Sequence, residues 1–95
     1  VLSVYQNRRF DGDFQTVRKV VANGWLGELL SYEAHFDRFK PILNPKPWKE
    51  TPGPGSGILY DLGAHLLDQA LTLFGVPQDV AGEAFTQREG SGIDD

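Results

Sequence analysis

Ninety-five residues, 40% hydrophobic and 23% charged, suffice for one small globular domain with a modest core. A net charge of −4 argues against a nucleic-acid partner, which needs a basic face, and no apolar run approaches a membrane span. Cysteine is absent, which excludes disulfides and thiolate chemistry and fits a cytoplasmic location.

Val1-Leu2-Ser3-Val4-Tyr5 opens a strand pattern over residues 1–9, with no leader before it and no methionine in the chain. Asp11-Gly12-Asp13 makes a turn with Asp13 as helix N-cap. Residues 14–23 then read as a helix on the spacing of Phe14, Val17, Val20 and Val21, closed by Asn23-Gly24. A second strand is predicted over 28–39, with Leu30, Tyr32, Ala34 and Phe36 on one face and Ser31, Glu33, His35 and Asp37 on the other. Residues 40–57 are rich in proline and glycine and read as a loop, one that carries Trp48. The strongest helix covers 58–74 and ends at Gly75 and Pro77. A third strand follows over 78–88. The chain closes on a turn pattern at Ser91-Gly92-Ile93-Asp94-Asp95, and its two ends read as those of a piece of a longer protein. The expected fold is α/β (α+β): an open, mostly antiparallel sheet with helices on one face, and residues 1–95 forming a single partial domain.

The helix at 58–74 is apolar around most of its circumference, which predicts burial. One polar stripe interrupts it: Asp61, His65, Asp68 and Thr72, spaced i, i+4, i+7, i+11. A carboxylate one turn from an imidazole orients it and raises its basicity, as general acid/base work near neutral pH requires. The same stripe also fits a half-exposed helix face, or a metal site built from Asp61, His65 and Asp68. The run Pro52-Gly53-Pro54-Gly55-Ser56-Gly57 leads into the helix and could offer backbone N–H groups to an anion, or simply allow a close backbone approach. Arg8 and Arg9 at a strand end suit a substrate anion or ordinary surface pairing. Trp48-Lys49 suits a flat or anionic ligand, and Trp48 equally suits a cap on the core.

The run from Gly55 to Asp68 resembles the G-G-x-L-x-D-x-G-x-H-x-x-D signature of the Gfo/Idh/MocA oxidoreductases, with Ser56 interrupting the glycines. Tyr5-Gln6-Asn7-Arg8-Arg9-Phe10-Asp11 is similar to the strand that follows that family's dinucleotide domain. Gly24-Trp25-Leu26-Gly27-Glu28 is similar to its G-x-(I/L)-G-(E/K) turn, and Pro47-Trp48-Lys49 to a Trp-Arg element with lysine for arginine. The resemblance implies the C-terminal domain of a two-domain enzyme whose Rossmann half, which binds NAD or NADP, lies outside these residues. It implies hydride transfer between a sugar or polyol carbon and nicotinamide. His65 would be the catalytic acid/base, Asp61 would orient it or touch substrate, Arg9 would lie near substrate, and Trp48 and Lys49 near the cofactor. It further implies a homo-oligomer formed through the open sheet face, and an isolated fragment that does not turn over. The rival readings are a non-catalytic binding or dimerisation module of the same fold, and a metal-dependent hydrolase.

Overall fold

The computed structural model describes residues 1–46 and 49–95, which fall into two compact units. The first comprises Val1–His35 and His65–Pro77. The second comprises Phe36–Ala64 and Gln78–Asp95.

In the first unit a 3-10 turn, Asn7–Phe10, leads into helix α1, Gly12–Ala22. The helix starts two residues earlier than the sequence predicts. Asp11, extended at φ −62° and ψ 139°, is its N-cap residue, while Asp13 sits in the first turn, where a carboxylate complements the helix dipole. The C-terminus closes as a Schellman motif. Trp25 N–H donates to Val20 O at 3.2 Å and Gly24 N–H to Val21 O at 3.0 Å. Gly24 takes φ +66°, the left-handed conformation that glycine alone adopts without steric cost. Phe14, 3% exposed, is the buried side chain of this unit. Helix α2, Ala64–Phe74, supplies the unit's second element, and Phe74 meets Tyr32 edge-to-face at 5.2 Å. None of the residues of α2 is buried, contrary to the burial that its apolar circumference predicts.

The second unit holds the loop and the N-terminal part of the long predicted helix. That part is not α-helical: Leu59–Gly63 forms a π-helical turn, in which Ala64 N–H reaches back to Leu59 O. Ile93, 9% exposed, is this unit's buried hydrophobe.

The predicted sheet is not formed. Among the described residues there is no strand: segments 28–39 and 78–88 lie outside regular structure, and 7–9 belong to the 3-10 turn. Alternation marks which side chains would share a face, but a strand exists only through the ladder it makes with a neighbour. Among the described residues none of the three segments finds a ladder partner, so apolar residues within them stay uncovered, Leu30 at 90% and Val80 at 82% exposure. The open sheet face on which self-association was expected is absent for the same reason.

Candidate functional site

In the second unit, Asp61 is carried by the π-helical turn. Its Oδ2 accepts a hydrogen bond from Lys49 Nζ at 3.2 Å, and Arg38 Nη2 stands 4.0 Å from the same oxygen. A carboxylate between two cations is thus displayed on the wall of a cavity of about 630 Å³, which Arg38, Lys49, Tyr60 and Asp61 help to line. Lys49 and Asp61, expected separately from the sequence, are brought together. Trp48 and Pro47 lie outside the described residues.

The glycine run before the helix is already engaged. Leu59 N–H donates to Asp94 Oδ2 at 2.8 Å, and Ile58 N–H donates to the Asp94 carbonyl at 3.1 Å. A residue 35 positions away therefore takes two of the N-terminal N–H groups that an anion would use, one with its carboxylate and one with its backbone carbonyl. Gly57 makes this possible. It takes φ +93°, and a Cβ there would stand 1.8 Å from Asp94 Oδ1.

One wall of the cavity is an ion network centred on Arg88. Its Nη1 and Nη2 donate to Glu50 Oε1 and Oε2 at 3.2 and 2.8 Å, and its Nε donates to Asp95 Oδ2 at 2.5 Å. The Arg88 fork, followed by the Asn44 backbone N–H, holds Glu50 below the usual carboxylate range. Asp95 is lowered by the Gln87 backbone N–H and then by Arg88.

In the first unit, Arg9 Nε and Nη2 donate to Asp68 Oδ2 and Oδ1 at 2.7 and 2.6 Å. These bonds lower the Asp68 pKa and raise that of Arg9. Gln69 Nε2 adds a bond to Arg8 O at 3.2 Å, so the 3-10 turn is fastened to α2 at two points. His65, in the first turn of α2, has a buried Nδ1 with no hydrogen-bond partner among the described residues. Asp68 lies one turn on, and His65 adds a minor part to the lowering of its pKa. His35 meets Glu33 at 3.7 Å, with both side chains well exposed. Among the described residues no group of three His, Asp or Glu side chains is gathered for a metal ion, and no helix is long and apolar enough to cross a membrane.

Sequence reasoning missed Arg38, Glu50, Arg88 and Asp94. Ion pairs spanning 38 residues and a helix cap supplied from 35 residues away leave no local signal. Only Arg38 could have been flagged, as a cation next to Asp37 at the end of a polar face.

Residues 14–95 match the GFO/IDH/MocA C-terminal domain, and the chain belongs to that family. It is 52% identical over 89 residues to an uncharacterized oxidoreductase of Schizosaccharomyces pombe, covering 94% of this chain and 24% of that protein. It is 43% identical over 89 residues to the Bacillus subtilis scyllo-inositol 2-dehydrogenase (NADP(+)) IolW, covering 94% of this chain and 25% of that one. The solved structure of Bacillus subtilis YvaA, described as an oxidoreductase, matches with a TM-score of 0.88 and 41% identity over 100% of this chain and 27% of its own. The chain thus spans about a quarter of the length of the relatives it matches.

Proposed function

We propose that this chain supplies part of the active site of an NAD(P)-dependent oxidoreductase acting on a hydroxyl-bearing carbon of a sugar or polyol. The observation that carries the reading is the buried Nδ1 of His65, without a partner among the described residues and set in a motif shared with an oxidoreductase family. A buried polar atom without a partner is costly to a fold and is retained where a ligand or proton uses it. The name of IolW, a dehydrogenase of a cyclic polyol, supports the substrate class.

The residues present fit the reactive end of a nicotinamide dinucleotide rather than its pyrophosphate. The helix N-terminus after the glycines is taken by Asp94, while Lys49 and Asp61 front an open cavity. When bound, the nicotinamide C4 supplies the hydride chemistry. His65 takes the hydroxyl proton on a ring nitrogen as the alcohol is oxidised, and returns it in the reverse direction. Asp61 accepts a substrate hydroxyl proton in a hydrogen bond and orients the reacting group, its charge balanced by Lys49 and Arg38. Lys49, with Trp48 beside it in sequence, borders the cofactor. Arg9, whose Nε and Nη2 are on Asp68, lies near the substrate.

The test is titration of NADH and NADPH into the full-length protein and into residues 1–95 alone, followed by an assay against sugars and polyols. Binding to the full-length protein but not to residues 1–95, with turnover of a polyol, is expected. No dinucleotide binding by the full-length protein would falsify the reading.

A further inference from the structure

In the proline-rich loop, Lys49 N–H donates to Lys46 O at 3.1 Å. Side chains add to it, and one carboxylate gathers them. Glu50 Oε1 accepts from the Asn44 backbone N–H at 2.6 Å and from Arg88 Nη1, while Oε2 accepts from Arg88 Nη2. The two ends of segment 44–50 are thus closed on a single group that directly follows Lys49.

Arg88 is itself fixed. Its planar guanidinium has three nitrogens committed, two to Glu50 and Nε to Asp95, which leaves it one orientation. Asp95 is anchored in turn, since its Oδ1 accepts from Gln87 N–H at 2.5 Å and its own N–H donates to Phe85 O at 3.2 Å. The Arg88, Glu50 and Asp95 side chains are only 19%, 12% and 8% exposed, against 30% and 45% for Lys49 and Asp61. Salt screens the covered pairs least, so the stiff part of the assembly is the Arg88 hub and the adaptable part is the Lys49–Asp61 contact.

We propose that Arg88 is a positioning residue that acts through Glu50 to hold the Lys49 ammonium on Asp61 at the cavity wall. The proposal rests on the reading that places Lys49 and Asp61 beside cofactor and substrate. Without the Arg88 fork, Glu50 keeps only the Asn44 N–H. The loop then opens at Lys49, and Asp61 loses its nearest cation.

The test uses the full-length protein with Arg88→Gln, Glu50→Gln and Lys49→Ala, alone and combined. Trypsin cuts after Lys49, whereas Lys46 precedes a proline and resists. In Arg88→Gln and in Glu50→Gln, cleavage at Lys49–Glu50 is expected to rise about tenfold relative to other sites, as local opening becomes easier. Activity, read as kcat/KM, is expected to fall about tenfold to a hundredfold in Arg88→Gln, the scale of misplacing a group in a site. In a Lys49→Ala background Arg88→Gln should cost nothing more, since the two substitutions interrupt one interaction. Unchanged cleavage at Lys49, or the same loss of activity in both backgrounds, overturns the proposal. If Arg88→Gln does not fold, Glu50→Gln carries the test. Should Lys49→Ala alone leave turnover intact, the assignment of Lys49 in the proposed function falls, and the cleavage rates still decide whether Arg88 holds the loop.

Discussion

Arg9 grips Asp68 side-on with two parallel hydrogen bonds, 2.7 and 2.6 Å long, across 59 residues of sequence. Lysine cannot reproduce that fork, so Arg9→Lys should behave more like Arg9→Ala than like the parent. The Asp68 pKa is lowered in the folded protein, chiefly by these bonds. A lowered carboxylate stabilises the fold above its ordinary value of 3.8 and loses that contribution as pH falls through the folded value. Denaturant unfolding between about pH 2 and 6 should therefore show a steeper acid loss for the parent than for Arg9→Ala. Parallel curves would count against the pair as an acid-sensitive fastening.

Glu50 and Asp95 carry the same sign in the second unit. Both are lowered, so their contribution is complete above the ordinary values of 4.5 and 3.8 and disappears below them. Removing Arg88 should flatten the acid limb further in a double variant with Arg9→Ala. The two sites share no partner, so the effects should add.

Gly57 is the position where substitution should be least tolerated for its size. Alanine there meets a positive φ of +93° and puts its Cβ 1.8 Å from Asp94 Oδ1. The backbone strain alone is about 1–3 kcal/mol, and displacing Asp94 adds the loss of the bond to Leu59 N–H. Asp94→Ala without the clash should cost about 0.5–2 kcal/mol, as for other helix caps. Thermal unfolding of the two variants should rank Gly57→Ala below Asp94→Ala. The reverse order would mean that the turn relaxes around an added methyl group.

Phe14 is 3% exposed and sits on the face of α1 that the 3.6-residue pattern marks as inward. Phe14→Ala should destabilise by about 3–5 kcal/mol, and Phe14→Leu by clearly less. Equal losses would indicate that the ring is held by its shape rather than by the volume it fills.

The two helices and the site motif were legible because their signals are local. Asn23-Gly24 terminates α1 where a left-handed glycine is needed, and Gly75 closes α2 with its N–H on Leu71 O at 2.9 Å. The run from Gly55 to Asp68 identified the family through residue types at fixed spacing. What failed depends on distant parts of the chain. Alternation at Leu30, Tyr32 and Ala34 announced faces but could not provide a neighbouring strand, and without ladders no sheet formed among the described residues. The π-helical turn at Leu59–Gly63 was equally hidden, because apolar spacing over 58–74 is compatible with an α-helix throughout. Arg9 was read as a substrate ligand or surface charge because nothing near it in sequence reveals Asp68, its partner in the first unit.

The most direct test of the account is the turnover of His65→Gln in the full-length protein, measured together with dinucleotide affinity. The account predicts a fall in kcat of about 10²–10⁴-fold, the contribution of a general acid/base, with NAD(P)H affinity unchanged. Turnover equal to that of the parent would contradict the assignment of His65 as the group that moves the hydroxyl proton.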